Sequence, residues 1–530
     1  MTGAGPRLLV LGWDSATFDV IDPLVDEGRL PALSHLMRRG FRAPLRSTWP
    51  PMTDCAWTSA FTGCNPGKHG IFGSWYRAPG AYECRYFSSR DRRAPALWEL
   101  AEGARFLVWN VPMTFPPRAV EGAMVAGYGA PPGSRFCSPS GLQDSLTERW
   151  DLDDLLDRAP YGSLARYLDE LLGGLRTQAE ALPWAIRETQ PDCAVAVWPH
   201  IDRAQHFFWQ FRNTEHPLAG AVDRVYEEMD RTTRALLDSF PEADVLVISD
   251  HGAGPLLGDV NMGAWLARSG YASYGAASHS PLAAAWRLPP SARRAAKRVA
   301  PALARRTMRE TLSGGLGPFD WSQTRAFLGV NGDLWINEQG REPQGVVPQT
   351  AAPVLVEEIR DRVLTLRDPH SGAPLFAGAH PRDEIYSGPA SNLAPDLMLD
   401  SWSMGYRVAP GRGESEVVIP PVPLAGVHEA WSSDHRPLGV FVAAGPHIRQ
   451  GATDELSLYD ICPTALALLE REIPEGLDGR AAEEALAPSF FDVHPVRRGA
   501  AATTEPDGAT YSDEEAAAVA QHLKELGYIE

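Results

Sequence analysis

Six side chains of the types that bind divalent metal ions lie beside short apolar segments of the chain. Asp and neutral His are the usual ligands of zinc and related ions. Asp202 and His206 are four residues apart, so one helical turn would place both on one face. Each residue alone is weak evidence, but their joint position beside several apolar segments predicts a metal site. The candidates are Asp14, Asp202, His206, Asp250, His251 and His435.

A candidate nucleophile, Thr53, lies in the segment from Trp49 to Ile71. This segment resembles the nucleophile region of the alkaline phosphatase superfamily, and within it the branch of type I phosphodiesterases and nucleotide pyrophosphatases. The order of the candidate Asp, Thr and His residues along the chain agrees with that branch. The resemblance covers most of the chain and is weakest in residues 272–325. The matching motifs are Thr62-Gly63, Pro66-Gly67-Lys68-His69-Gly70-Ile71, Arg341-Glu342-Pro343 and Pro395-Asp396-Leu397.

The resemblance implies two metal sites, and both ions are expected to be zinc. A threonine hydroxyl is a poor nucleophile at neutral pH, and a bound metal ion lowers its pKa. Two ions can also clamp the attacking and leaving oxygens of an in-line displacement at phosphorus. The expected reaction therefore passes through a covalent phosphothreonine. One site would contain Asp14, Thr53, Asp250 and His251, and the other Asp202, His206 and His435.

Three residues are candidates for contacts to the substrate. Nucleotide pyrophosphatases place an Asn shortly after the His-Gly-Ile motif, where it hydrogen-bonds a phosphate oxygen, and Ser74 occupies that place here. Arg77 is a second candidate, because it could supply the missing donor. His200 lies two residues before Asp202 and is the third. The Ser74 departure leaves the identity of the phosphate ester open, although it leaves the chemistry at phosphorus unchanged.

Several other polar residues have a second interpretation. His69 lies in the family motif, and a structural hydrogen bond is its expected role. His428 is the alternative to His435 as a ligand, and the Asp-His-Arg-Pro context favours His435. Asp434 and Asp54 are either partners of the ligand histidines, which usually donate their second N–H, or solvated side chains.

The leading functional hypothesis is hydrolysis of a phosphodiester or pyrophosphate bond, in a nucleotide or nucleotide-sugar. A phosphomonoesterase on the same scaffold is the first alternative, and it would need additional positive charge from a residue such as Arg77 or Arg203. A non-catalytic binding protein on this fold is the second. A sulfatase is excluded because Cys55-Ala56-Trp57-Thr58-Ser59 lacks the arginine of the sulfatase motif.

The elements that must position these residues are short strands and helices in alternation. Buried parallel strands have apolar residues on both faces, and the alternation predicts an α/β fold with a mostly parallel central sheet flanked by helices. Ligands of such sheets bind beyond the carboxyl ends of the strands. Helices are expected over Ser163 to Leu172 and Val222 to Phe240. The predicted strands are Leu8 to Leu11, Phe106 to Trp109, Ala194 to Trp198, Val245 to Ile248 and Val440 to Ala443.

The chain is expected to form an alkaline phosphatase-like core interrupted by a cap. Residues 1–271 and 326–495 would form the core, and residues 272–325, rich in Ala, Arg, Pro and Ser, the cap or insertion. Residues 496–530 would form a linker and an amphipathic helix beginning at Ser512.

The net charge and composition limit the classes of molecule that the protein is expected to bind. A net charge of −18 over 530 residues argues against a polymeric nucleic acid, whose phosphates need clustered Lys and Arg. A small phosphorylated substrate remains the expected partner. No apolar run is long enough to span a membrane, so no membrane association is expected. The six cysteines form no C-x-x-C pair, which favours a reduced, cytoplasmic protein without disulfides.

Overall fold

The computed structural model describes most of the chain, and its described residues are 5–77, 80–82, 84–131, 133–151, 163–273, 319–329, 331–409, 417–419, 431–494, 497–500 and 519. Most of the predicted cap lies outside these residues. So do His428, most of the predicted linker and almost all of the C-terminal helix predicted from Ser512. The predicted division into core, cap and linker therefore stays a prediction.

A ten-stranded sheet forms the centre of the protein. In chain order its strands are β1 Leu8–Trp13, β2 Phe41–Arg46, β3 Phe106–Trp109, β4 Gly122–Val125, β5 Cys137–Ser138, β6 Cys193–Trp198, β7 Asp244–Ile248, β8 Leu438–Ala444, β9 Gly451–Ala452 and β10 Leu456–Ser457. They lie in the order β9-β2-β8-β7-β1-β6-β3-β4-β5, and β10 pairs with β2 off this path. All five predicted strands belong to this sheet, β3 with the predicted bounds and the others longer by one to three residues.

The middle of this sheet is parallel, as predicted. β1 pairs parallel with both β6 and β7, and β3 pairs parallel with β6 and β4. The prediction was wrong for β8, which pairs antiparallel with both β7 and β2. Its apolar run has the same appearance in either direction, because a strand buried on both faces shows no alternation that would reveal its orientation.

Helices cover both faces of the sheet. Successive strand residues point to opposite faces, so Leu9 and Leu11 belong to one apolar core and Leu8 and Val10 to the other. The predicted helices at Ser163 and Val222 are present, although the first is much longer than predicted. The helices are Phe18–Asp26, Pro31–Arg39, Thr53–Thr62, Pro66–His69, Leu97–Leu100, Ser140–Thr147, Leu164–Thr189, His200–Phe208, Ala221–Ser239, Met262–Arg268, Ala352–Leu364, Arg382–Ile385, Ile461–Leu468 and Pro488–Val493.

A four-stranded antiparallel sheet lies outside the central one and has its own apolar cluster. Its strands run in the order Ala326–Leu328, Leu334–Ile336, Leu397–Asp400 and Gly378–Pro381. The remaining strands form smaller pairings, which are Trp75–Arg77 with Cys84–Tyr86, Gly252–Pro255 with Ser433–Arg436, Gly258–Asn261 with Tyr406–Ala409 and Val418–Ile419, and Ile473–Pro474 with Arg498–Gly499.

Two further features concern the cysteines and the helix lengths. All six cysteines are free thiols. Among the described residues, no helix is both long and apolar enough to cross a membrane.

Candidate active site

Two neighbouring parallel strands bring the first group of ligands together. β1 ends at Trp13 and is followed at once by Asp14, while β7 ends at Ile248 shortly before Asp250 and His251. Because β1 and β7 pair in parallel, these residues lie at the same carboxyl edge of the sheet. The His251 Nε2 atom lies 3.2 Å from Asp250 Oδ2 and 3.7 Å from Asp14 Oδ1.

The second group comes from the helix His200–Phe208, which follows β6, and from the strand Ser433–Arg436. One helical turn places Asp202 and His206 on the same face, with His206 Nε2 3.1 Å from Asp202 Oδ1. His435 Nε2 lies 3.5 Å from the same carboxylate oxygen and 3.3 Å from His206 Nε2. The strand that carries His435 pairs antiparallel with Gly252–Pro255, directly after His251.

Asp202 belongs to both groups of candidate metal ligands. The ligand atoms of Asp202, His206 and His435 lie within 4.8 Å of one another, and so do those of Asp14, Asp202 and His251. The rings of His251 and His435 stack at 3.8 Å between centroids. The structure therefore places the two predicted sites side by side, with one carboxylate between them.

The chemistry of these donors fits divalent cations. All six residues are buried, and Asp14 Oδ1 and Asp250 Oδ2 have no hydrogen-bond partner among the described protein atoms. Burying a carboxylate that has no hydrogen-bond or charge partner costs free energy, so a positive charge beside these oxygens would stabilise them. Burial together with the neighbouring carboxylates raises the pKa values of Asp14 and Asp250 well above the usual value of an aspartate. Bound cations would remove that penalty.

Asp202 behaves differently because it faces two imidazoles. Burial opposes its ionisation, but the charges and hydrogen bonds of His206 and His435 outweigh burial and hold the pKa of Asp202 well below its usual value. Burial likewise disfavours the charged form of His435, yet Asp202, Asp434 and the Pro51 carbonyl raise the pKa of His435 to about 9. In contrast, burial and the neighbouring His435 hold the pKa of His251 well below its usual value.

Backbone carbonyls orient all three histidines. The Nδ1 atoms of His206, His251 and His435 lie 2.9, 3.1 and 2.8 Å from the carbonyl oxygens of Ser433, Gly252 and Pro51 respectively. Each Nδ1–H donates to its carbonyl, so Nε2 is the ring atom that faces the carboxylates. Asp434 and Asp54, predicted to be either partners of the ligand histidines or solvated, are both buried, and Asp434 accepts from the His435 backbone N–H.

Thr53 is the first residue of the helix Thr53–Thr62, and its Oγ1 lies 3.4 Å from His251 Nε2. One turn later on the same helix, Trp57 Nε1 donates a 2.9 Å hydrogen bond to Asp14 Oδ2. This helix therefore positions the hydroxyl and also holds a carboxylate of the first ligand group. The unpaired N–H groups of a helix N-terminus favour an anion at this position.

A sequence profile of the type I phosphodiesterase / nucleotide pyrophosphatase family matches residues 8–419, most of the chain. The chain belongs to this family. Its members are metal-dependent hydrolases built on an alkaline phosphatase-like scaffold, and this protein is a phosphoric ester hydrolase. No curated relative matches the sequence.

Solved structures with the same fold have low sequence identity to this phosphodiesterase family member. An inactive variant of murine ectonucleotide pyrophosphatase/phosphodiesterase 5 in complex with AMP is 10% identical, with a TM-score of 0.50, 91% of this chain and 100% of that chain covered. Phosphonoacetate hydrolase from Sinorhizobium meliloti in complex with phosphonoacetate is 16% identical, with a TM-score of 0.51, 87% of this chain and 95% of that chain covered. These likenesses establish the fold.

The predicted substrate contacts lie in different surroundings. Burial raises the pKa of Asp54, the residue next to Thr53 in sequence, to about 6, and the nearby Ser74 hydroxyl partly opposes this rise. His200 is buried at the start of the helix that carries His206. Ser74 is therefore near Asp54, the residue next to the candidate nucleophile Thr53 in sequence.

The prediction for Arg77 needs correction. Its guanidinium pairs through both Nη atoms with Glu342, whose side chain is fully buried, and it lies over the ring of Trp335 at 4.2 Å. Glu342 belongs to the Arg-Glu-Pro motif that contributed to the family resemblance. Because a carboxylate already neutralises this guanidinium, Arg77 stabilises the packing of the hairpin it belongs to and does not supply a free charge for phosphate.

His69 has the structural role predicted for it. Its Nε2 lies 2.9 Å from Ser59 Oγ, and its Nδ1 accepts a hydrogen bond from the Ile71 N–H. Burial and the nearby Arg92 lower the pKa of His69 to about 3, so the ring is neutral. The ring thereby fastens the loop after the helix Thr53–Thr62 to that helix.

Sequence reasoning missed two aromatic residues at the site. The sequence assigned no role to Trp57, yet its indole N–H donates a hydrogen bond to Asp14. Its spacing of four from Thr53 was the available signal, since both then share one helix face. Trp431 stacks on the His206 ring at 3.7 Å, and only its position four residues before His435 connects it with the site.

Proposed function

We propose that this protein hydrolyses a phosphodiester or pyrophosphate bond through a covalent phosphothreonine at Thr53. The observation that carries the proposal is the position of Thr53 Oγ1, 3.4 Å from His251 Nε2 within a group of buried carboxylates and imidazoles. A hydroxyl among metal-ligand side chains and at a helix N-terminus is well placed for attack on an anionic phosphorus centre.

We further propose that two zinc ions occupy the two ligand groups. Asp14, Thr53, Asp250 and His251 would hold one ion, and Asp202, His206 and His435 the other. Bound zinc would supply positive charge that favours the alkoxide form of Thr53 and stabilises charge on the phosphate oxygens. The close approach of Asp202 to both groups supports this assignment, because the two ions would lie near enough to act on one phosphate.

The protein's own groups carry the covalent steps. Thr53 Oγ1 loses its proton to solvent and forms a bond to phosphorus, while the bond to the leaving oxygen breaks and that oxygen departs with its electron pair. The N–H groups at the start of the Thr53 helix would face the phosphoryl oxygens. The oxygen of a water molecule then forms a bond to phosphorus and gives up one proton, the P–Oγ1 bond breaks, and Oγ1 takes up a proton to restore the hydroxyl.

The surroundings favour a diester or pyrophosphate over a monoester. A monoester dianion needs additional positive charge. Arg77, one candidate for that charge, is paired with Glu342, and the other candidate, Arg203, is fully buried. The proposed substrate is a nucleotide or nucleotide-sugar, with Ser74 and His200 as its proposed contacts. The AMP complex of the murine protein with this fold supports a nucleotide as the first compound class to test.

The test compares two aryl phosphates on zinc-loaded protein. Hydrolysis of bis-p-nitrophenyl phosphate is expected to exceed that of p-nitrophenyl phosphate, and Thr53→Ala is expected to lower kcat by about 10⁴-fold or more. Thr62→Ala is the matched control, since this buried threonine of the same helix bonds only the Thr58 carbonyl. Acid quenching during turnover followed by mass spectrometry should find phosphate on Thr53.

Three outcomes would contradict the proposal in different ways. Full turnover by Thr53→Ala would exclude the threonine mechanism. Faster hydrolysis of the monoester would establish the phosphatase alternative on the same scaffold. Absence of zinc binding, together with no turnover of either ester, would support the non-catalytic binding protein.

A further inference from the structure

A fully buried glutamine connects the two groups of candidate ligands. Gln205 lies on the helix His200–Phe208, between Asp202 and His206. Its Nε2 donates to the backbone carbonyl of Ser15 at 2.8 Å and approaches Ser15 Oγ at 3.2 Å. The helix that carries the second ligand group is thereby bonded directly to the residue that follows Asp14.

Ser15 has a backbone conformation that needs such support. Its φ angle is 66°, in the left-handed region that residues with a Cβ adopt at an energetic cost. In this conformation its N–H donates to Asp250 Oδ1 at 3.3 Å, and its hydroxyl donates to the Gly252 carbonyl at 3.4 Å. Ser15 thus fixes the position of Asp250 relative to Asp14, the two carboxylates of the first group.

The far end of Gln205 is held as well. The Tyr226 hydroxyl donates to Gln205 Oε1 at 3.2 Å and accepts a bond from the Thr17 N–H at 3.1 Å. Tyr226 is itself fully buried on the long helix Ala221–Ser239 and packs edge-on against Trp13. The amide of Gln205 is therefore fixed on both sides and cannot rotate away from Ser15 without losing three bonds.

We infer that Gln205 is a positioning residue, which holds Ser15 in its left-handed conformation and so aligns Asp14 and Asp250 on one metal ion. This inference rests on the two-metal site proposed above. It assigns a metal-organising role to a residue that is not itself a ligand. Residues of this kind commonly change metal affinity by about 10- to 100-fold.

The test is a zinc titration of the metal-free protein by calorimetry. Gln205→Met keeps the size of the side chain and removes the donor to Ser15. It is expected to weaken one of the two zinc-binding steps by about 10- to 100-fold and to leave the other unchanged. The weakened step should be the one that Asp250→Asn also weakens, because Asp250 belongs to the first ligand group alone.

Gln178→Met is the matched control. Gln178 lies on the long helix Leu164–Thr189 and is as buried as Gln205. Its side chain accepts a hydrogen bond from Trp109 Nε1. It is expected to keep both zinc-binding steps. Thermal unfolding of each metal-free variant separates a loss of metal affinity from a loss of fold. If Gln205→Met does not fold, Tyr226→Phe replaces it, with a loss of about threefold or more expected at the same step.

Distinct results would overturn the inference and the proposed function. If wild type binds two zinc ions and Gln205→Met, or Tyr226→Phe in its place, binds both as tightly as Gln178→Met, the inference is wrong and the two-metal site stands. Equal weakening of both steps would also overturn it, because Gln205 would then act on the whole site. If wild type binds fewer than two zinc ions, the two-metal proposal fails, and the inference fails with it.

Discussion

The Ser74 hydroxyl lies beside the carboxylate of Asp54, the neighbour of the candidate nucleophile Thr53, and opposes the rise in the Asp54 pKa that burial causes. A hydroxyl group has a single proton. Whenever Ser74 donates that proton to Asp54, it cannot donate it to a phosphate oxygen. Ser74 occupies the place of the family's phosphate-binding Asn, and the sequence did not connect it with Asp54.

This relationship predicts an asymmetric result for two substitutions of Ser74. An amide has two N–H donors, so Ser74→Asn can serve Asp54 and phosphate together and is expected to raise kcat/KM for bis-p-nitrophenyl phosphate by about tenfold, the value of one charge-assisted hydrogen bond. Ser74→Ala is expected to lower it by less than about tenfold. A loss in Ser74→Ala comparable to that of Thr53→Ala would show that Ser74 itself contacts the reacting group.

Zinc binding is expected to release protons, and the pKa of His435 determines the pH range over which this release occurs. Asp202 and Asp434 stabilise the charged ring, so His435 in the metal-free protein is protonated below pH about 9. Only the neutral ring binds zinc, so an ion held by His435 at pH 7 must displace the proton of that ring. Apparent zinc affinity should increase with pH and level off above about 9.

Calorimetry in buffers of different ionisation enthalpy measures this release. The carboxyl groups of Asp14 and Asp250, whose pKa values are also raised, add to the protons released at lower pH. The number of protons released per ion should decrease as the pH rises through about 9. A release that is constant from pH 6 to 10 would contradict a raised His435 pKa.

Gly12 is expected to tolerate no side chain. An added Cβ would lie 2.6 Å from Trp57 Cη2 and 2.8 Å from Val197 Cγ2. Overpacking of this kind costs about 1–3 kcal/mol, and displacement of Trp57 would also disturb its bond to Asp14. Denaturant unfolding and aryl phosphate turnover of Gly12→Ala should therefore both decline.

Gly173→Ala is the control for Gly12→Ala. A Cβ at Gly173 would meet open space in the middle of the helix Leu164–Thr189. The substitution is expected to stabilise the protein by about 0.5–1 kcal/mol. Unchanged stability and turnover in Gly12→Ala would show that the Trp57 contact is adaptable.

Arg77 is expected to affect stability more than substrate binding. Arg77→Met would leave the buried Glu342 with fewer partners, at a cost of about 3 kcal/mol. The double variant Arg77→Met/Glu342→Gln should recover much of this loss, because it leaves no unpaired charge. Arg166→Met, which breaks an exposed pair with Glu170, is the control and should cost under about 1 kcal/mol. A tenfold increase in KM without destabilisation would restore the substrate role predicted for Arg77.

Much of the fold could be predicted because its signals are local. Each central strand is a short apolar run, and each candidate ligand lies a few residues from such a run. The direction of β8 could not be predicted, since a strand that is buried on both faces has the same composition in either direction. Only its hydrogen bonds to β7 and β2 determine that it is antiparallel.

For the candidate site, the sequence by itself determined the chemical types: a threonine in a specific motif and six side chains suited to zinc. The family resemblance implied how they group into two sites, and the tertiary structure decided the contacts that each side chain makes. Thr53 and His251 are 198 residues apart, and His206 and His435 are 229 apart. Contacts over such separations depend on strand order and helix packing, which no local spacing encodes. The same reason explains why Arg77 pairs with Glu342, and why Asp202 lies between both ligand groups.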